Sequence, residues 1–303
     1  MKVILSRKGF DSANGGCASP ILHPADDNGI ALSDKCMLLS LPIPAKSGVE
    51  YSKLIVPERN GLTYDELLSQ LRRKKSWNTS GKKFAHVDPD IRSDIRKEPV
   101  PGWKPAFGQT NASAAFLNKY VAPGDLFLFF GWFHNTRNDS DGCHFVTKRS
   151  NRDFYESSHL QMVYGYMQIG EILRDRDEIK KYSWHSHSHK DYSDDDNNTL
   201  YLPSEKLDTG ITEIDKLGLP GFGTFSYRQA LVLTKAGCTR AAWSLRDCYA
   251  PKNLVNANEL QPRKNSAKDK DNVYYKGIWQ ELILKDTPDN TDLEVWLKEI
   301  FCP

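Results

Sequence analysis

Cysteine pairs, a strong net charge and long apolar runs are all missing from this sequence. The six cysteines (Cys17, Cys36, Cys143, Cys238, Cys248 and Cys302) include no C-x-x-C pair. In a chain of 303 residues that argues against a disulfide framework or a zinc knuckle, and for reduced thiols in a cytoplasm. No apolar stretch approaches the length of a membrane span. The opening MKVIL is too short for a signal-peptide core, because Arg7 and Lys8 follow at once. A net charge of +2 sets up no global field, so a nucleic-acid contact would have to come from a local patch. Neither a Walker loop nor a G-x-G-x-x-G is present, and no repeat recurs at a fixed period. What is there is an ordinary soluble composition, 39% apolar and 26% charged, long enough to bury a substantial core.

The pattern along the chain alternates strands with a few helices. MKVIL reads as a strand, and CMLLSLPIP as a short one ended by Pro42 and Pro44. TYDELLSQLRRKKSW predicts a helix: Thr63 and Glu66 have capping-box spacing, and Leu67, Leu68 and Leu71 share a face. Arg72 to Lys75 then sit where the helix dipole favours cations. NASAAFLNKYV predicts a second helix with Asn111 as its cap, and TDLEVWLKEIF a last one boxed by Thr291 and Glu294. GDLFLFFGWF is almost continuously apolar, as a strand covered on both faces would be. MVYGYMQIGEIL alternates around two glycines, the pattern of a bent strand. QALVLT, AAWSL and GIWQELIL read as further strands, NTRNDSDG and HKDYSDDDNN as loops, and PRKNSAKDKDN as a mobile excursion. The expected class is α+β, strand-rich, with peripheral helices and no run of βαβ units.

Four stretches hold more chemistry than their local structure needs. SRKGFDSANGG, after the first strand, combines backbone N–H groups of a Gly-rich loop with Arg7, Lys8, Asp11 and Ser12, so it is either a structured turn or a seat for a phosphate or carboxylate. FAHVDPDIR carries His86, Asp88 and Asp90 at alternate positions, which an extended segment would aim one way. Such a trio could share a metal or divide acid and base work; the competing reading is an Asx turn. YSWHSHSHKDYS alternates His185, His187 and His189, which on a strand would offer three imidazoles to a metal or a ligand. The fourth stretch is aromatic. Phe130, Trp132, Phe133, Tyr164 and Tyr166 close the two strongest strands, with Gly131 and Gly165 leaving space for a planar ligand; the same stripe also suits a core. Cys17 in the first loop is either a reactive thiol or a small filler.

Taken in order, SRKGFDSANGG with SPIL, LLSLPIP, HVDPDIR, FGQTNASAAFL, GDLFLFFGWF, YGYMQIGEI and NNTLYLPSEKL resemble the nucleotide modification associated domain family, third type, from Met1 to about Leu284. The resemblance implies one domain over residues 1–303 and a role in making or handling modified bases. It also implies functional positions at Arg7, Lys8, Asp11, Ser12, His86, Asp88, Asp90, Gln109, His185, His187 and Asn198. The later block reads HSH, with Ser186, where HPH is expected. GDLFLFFGWF…YGYMQIGEI further resembles the two-strand signature of PUA-like β-barrels, which would place barrel strands within about residues 120–285 and a base between Trp132 and Tyr164.

Two functions are therefore in view. The first is an enzyme acting on a nucleotide, base or glycosidic bond, with His86, Asp88, Asp90, His185 and His187 as its reacting groups. Arg7, Lys8, Asp11, Ser12, Gln109, Trp132, Tyr164 and Asn198 would hold the ligand, and a divalent metal is left open. The second is a non-catalytic PUA-like module that binds a modified or extruded base, free or within DNA. The density of titratable groups favours the enzyme, and geometry discriminates: the first requires the early, middle and late polar stretches to share one cavity.

Overall fold

Two long apolar segments, each covered on both faces, hold this molecule together. The computed structural model describes residues 1–72, 83–147, 153–256, 260–261, 272–277, 280–285 and 291–302. In chain order the strands begin with β1 (Val3–Arg7), β2 (Ser19–Leu22), β3 (Met37–Leu38), β4 (Ile43–Ala45) and β5 (Val49–Glu50). They continue with β6 (Phe84–His86), β7 (Phe107–Gln109), β8 (Leu126–Asp139), β9 (Gly142–Phe145), β10 (Leu160–Leu173) and β11 (Thr199–Pro203). The last are β12 (Phe222–Thr224), β13 (Ala242–Ser244), β14 (Leu260–Gln261), β15 (Asn272–Tyr275) and β16 (Glu281–Ile283). The protein is α+β and strand-rich, as its sequence pattern predicts.

The main sheet is ten-stranded, with the path β16-β1-β8-β10-β11-β7 and side branches at β2, β3, β9 and β12. β8 and β10 run antiparallel at its centre, and β1 lies between β8 in parallel and β16 in antiparallel. The uninterrupted apolar run of β8 has the predicted consequence. Phe127 and Phe129 pack against Phe107 on one face, while Phe130 meets Trp243 and Tyr275 on the other. The two glycines of β10 mark its bends: the register shifts between Val163 and Gly165 and again between Ile169 and Glu171. Smaller sheets, β4-β6-β5 and β13-β15-β14, are separate from the main one.

Several local expectations change. Residues Asn135–Asp139, a loop by composition, extend β8 because their polar groups are satisfied within the fold. β2 pairs alongside, Asn135 accepts from the His23 ring at 2.9 Å, and the Thr136 hydroxyl donates to the Ile21 carbonyl at 2.6 Å. QALVLT is not a strand; it turns as a 3₁₀ helix at Gln229–Leu231 and touches its neighbours through isolated bridges at Val232 and Thr234. α1 (Tyr64–Arg72) has its capping box, the Thr63 amide donating to Glu66 at 2.8 Å and the Glu66 amide to the Thr63 hydroxyl at 3.2 Å. α2 (Asn111–Tyr120) is capped from elsewhere: the Asn111 amide donates to Asp195 at 2.6 Å, and no side chain of its own start does so. The last helix, Thr291–Phe301, buries Leu293, Trp296, Leu297, Ile300 and Phe301. The basic run beyond Arg72 and residues 262–271 of the charged excursion lie outside the described residues.

No closed barrel is found among the described residues; the strands that the PUA-like reading expected over about 120–285 lie in a curled sheet with the path β16-β1-β8-β10-β11-β7. Its two end strands, β16 and β7, are bridged by side chains instead of a backbone ladder, the Gln109 amide donating to the Glu281 carboxylate. The strands involved also reach outside the expected range, to β1 and β7. Among the described residues no helix is long and apolar enough to cross a membrane.

Candidate functional site

The curl brings distant segments together at one end of the sheet. Arg7 ends β1, with Lys8 next; His86 ends β6, with Asp88 two residues on; Gln109 ends β7. His187 sits on a 3₁₀ turn, Ser186–Ser188, and Asn198 directly precedes β11. Arg7, Lys8, Asp11, His86, Asp88, Gln109 and His187 line one cavity of about 150 Å³. Asn14, Tyr192 and Gln280 also contribute to its wall. It has room for several water molecules or a small planar group.

Asp88 is the centre of this arrangement. Its Oδ1 accepts from the Gly108 amide at 2.7 Å and lies 3.4 Å from Nε2 of His185. Its Oδ2 faces the other way, 3.9 Å from Nε2 of His86 and 4.0 Å from Nε2 of His187. The ring of His187 has a defined orientation. Asn198 donates its amide to the His187 carbonyl at 2.9 Å, which turns its Oδ1 toward Nδ1 of the same residue, also at 2.9 Å. Nδ1 therefore carries the proton, and Nε2 presents a lone pair beside Asp88. Gly108 makes room for that ring, since a Cβ there would stand 2.2 Å from the imidazole. Tyr192 stacks on His187 at 5.0 Å and approaches His86 at 4.9 Å.

Burial sets the charges. It pushes His86 down to about 4 and His187 down to about 3, further than the Asp88 carboxylate pulls them back up, so both are neutral imidazoles at neutral pH. Burial opposes the charge on Asp88 too, but the close approach of His185 and the nearby Lys8 ammonium outweigh it and hold the carboxyl well below the usual range. The site thus combines one carboxylate with two neutral imidazoles. Lys8 is already engaged: its ammonium lies 3.5 Å from Glu281, 3.4 Å from Gln280 and 4.6 Å from the centre of the Phe107 ring. Arg7 is held more loosely, with Asp11 at 4.0 Å. Asp11 shapes the loop as well as lining the cavity, accepting from the Ala13 and Asn14 amides at 2.8 and 2.6 Å.

The remaining predicted positions fall elsewhere. Asp90 points away, because Arg96 grips both its oxygens at 2.9 and 2.5 Å and the Trp103 indole adds a third bond at 3.2 Å. His185 is fully buried behind Asp88, outside the cavity lining, and its Nδ1 accepts from the His187 amide at 3.2 Å. The three histidines do not align as on a strand: successive residues of a 3₁₀ turn diverge by about 120°, and His189 faces outward toward the Ser183 carbonyl. Ser12 lies outside the cavity and accepts from the Arg240 guanidinium at 2.8 Å. Trp132 and Tyr164 occupy opposite faces of the sheet, Tyr164 packing on Phe129 and Phe133 while Trp132 follows Phe130. They cannot bracket one base, and the Trp132 ring is covered by Arg240 at 3.9 Å. The space beside Gly131 and Gly165 is also taken, by the Lys8 carbonyl and by Ile91 with the Gly223 carbonyl.

Sequence reading missed Gly108, Tyr192, Gln280 and Glu281. Glu281 sat inside an apparently apolar strand, and its burial beside Lys8 is a long-range pairing that no local pattern announces. It also missed a fully buried group made of Cys36, His23 and Asn135, with Sγ to Nδ1 at 3.6 Å and Nε2 to Oδ1 at 2.9 Å.

Fold and site together define a strand-rich α+β protein with a carboxylate, two neutral imidazoles and an arginine around one cavity. The family model described as nucleotide modification associated domain 3 matches residues 2–285, and the chain belongs to that family. Its description ties the chain to nucleotide modification. Neither the curated proteins nor the solved structures contain a match.

Proposed function

We propose that this protein is an enzyme that modifies a nucleotide or its base, and that the cavity between Arg7 and the Asp88 cluster is its active site. Arg7 holds the anionic part of the substrate, a phosphate in the simplest case, and Gln109 and Gln280 supply hydrogen bonds along the wall. His86, Asp88 and His187 face the reacting part with two imidazole nitrogens and one carboxylate oxygen. His185 and Asn198 act behind them as positioning residues. The observation that carries this reading is the meeting of Arg7, Asp88, Gln109 and His187 at one 150 Å³ cavity, from segments separated along the whole chain. A passive base reader needs stacking faces and edge contacts, whereas this cavity concentrates titratable groups. The covered ring of Trp132 also weighs against a stacking module.

The test compares Asp88→Asn and Arg7→Met with the unaltered protein. Turnover is measured on nucleoside monophosphates and on DNA, and nucleotide affinity by calorimetry. Asp88→Asn should abolish turnover and retain binding, while Arg7→Met should weaken binding by about tenfold or more, the worth of one charge-assisted bond. Full turnover by Asp88→Asn would remove the cluster from catalysis.

A further inference from the structure

We propose that Nε2 of His86, Oδ2 of Asp88 and Nε2 of His187 hold one divalent first-row transition-metal ion. The three residues offer one donor atom each, all within 4.8 Å of one another. The two approaches to Asp88 Oδ2 are 3.9 and 4.0 Å. Bonds of about 2.0–2.2 Å to a shared ion place donors roughly 3.0–3.5 Å apart, so the ring nitrogens need to close in by about half an ångström to one ångström, within reach of side-chain rotation.

Three features mark this as a built site and not a chance cluster. First, the oxygen of Asp88 that faces away from His86 and His187 is fixed from behind by the Gly108 amide at 2.7 Å, with Nε2 of His185 3.4 Å away, which leaves Oδ2 for the ion. Second, Asn198 fixes the His187 ring with Nε2 as the lone-pair atom, the outer-sphere partner that metal-bound histidines usually have. Third, His86 is 8% exposed, and among the described residues its Nε2 makes no hydrogen bond, coming no nearer than 3.9 Å to Asp88. A ring nitrogen left so poorly satisfied on the cavity wall is open to an ion.

Two nitrogens and one oxygen select against magnesium and calcium, which take oxygen ligands, and suit iron(II), zinc, cobalt or manganese. Three protein ligands leave coordination positions open toward the cavity, where water and substrate enter. The ion belongs to the active site proposed above, but its binding can be measured without any substrate.

The full chain, stripped with chelator, is titrated with cobalt(II) alone and with zinc(II) alone, followed by visible absorption, calorimetry and thermal unfolding. One equivalent should bind, cobalt should give d–d absorption, and the transition temperature should rise, because the ion binds the folded form. Asp88→Asn and His187→Gln should lose more affinity than the roughly 10–100-fold expected of Asn198→Ala, which removes only an outer-sphere partner. His144→Gln, in the separate Asp139–Asp141–His144 cluster, should leave the stoichiometry at one. Asn198→Ala and the unaltered chain decide the matter if the ligand variants misfold. Absence of saturable binding overturns the proposal, as does binding that survives Asp88→Asn and disappears in His144→Gln. Turnover that persists in stripped protein and is lost in Asp88→Asn also overturns it, while leaving the catalytic reading intact. Metal bound at these residues without turnover of any nucleotide does the reverse.

Discussion

At the scale of single residues, the deciding contact is between Asn198 and His187. A carboxamide that donates to a backbone carbonyl has its other end fixed, so the tautomer of His187 follows from the main chain. Nitrogen-detected NMR of the metal-free protein should show His187 protonated at Nδ1, and Asn198→Leu should abolish that signature while leaving the fold intact. Residue chemistry also answers a question the sequence left open. Cys17 is pushed up to about 11 by burial, against a smaller pull from Arg72. A thiol reacts as its thiolate, so alkylation by iodoacetamide should be slow at pH 7 and rise about tenfold per pH unit up to about pH 11. Peptide-level mass spectrometry resolves Cys17 from the other thiols. What the sequence conveyed at this scale was residue type: His86, Asp88 and His187 were legible as chemistry. Their partners were not, because Asp90 and His185 carry the same side chains with different neighbours, Arg96 in one case and a closed interior in the other.

At the scale of elements, close approaches explain several side chains that seem to be missing. Gly108 on β7 stands where any Cβ would overlap the His187 ring. Gly108→Ala should displace that ring and cost about 1–3 kcal/mol of stability, as overpacking does, read from denaturant unfolding, with loss of activity beyond what the stability change explains. Bends were well written in the sequence: the glycines of β10 predicted its register shifts, and the box at Thr63 and Glu66 predicted the start of α1. Periodicity failed where polar residues are satisfied inside the fold, as at Asn135 and Thr136, and where a tight turn replaced an imagined strand at His185–His189. Alternation along a chain identifies a face only when the backbone is extended.

At the scale of the molecule, the curled sheet is tied shut around Lys8, Glu281 and Gln109. Lys8 and Glu281 are a buried pair, with side chains 7% and 0% exposed. Removing one partner leaves the other charge uncompensated, so Lys8→Met should destabilise by about 3–5 kcal/mol. The double variant Lys8→Met with Glu281→Leu should recover much of that loss in chemical denaturation, whereas two independent contacts would simply add. The α+β class was legible from composition and strand patterning, but the path of the sheet was not, since β1 takes partners about 120 and 280 residues further along. That placement has a consequence for biosynthesis. β1 is synthesised well before its neighbours β8 and β16, and Gln280 lines the cavity. A growing polypeptide therefore carries Arg7 and Asp88 long before His187 and Gln280 exist, and the cavity wall forms only once residue 280 has been made.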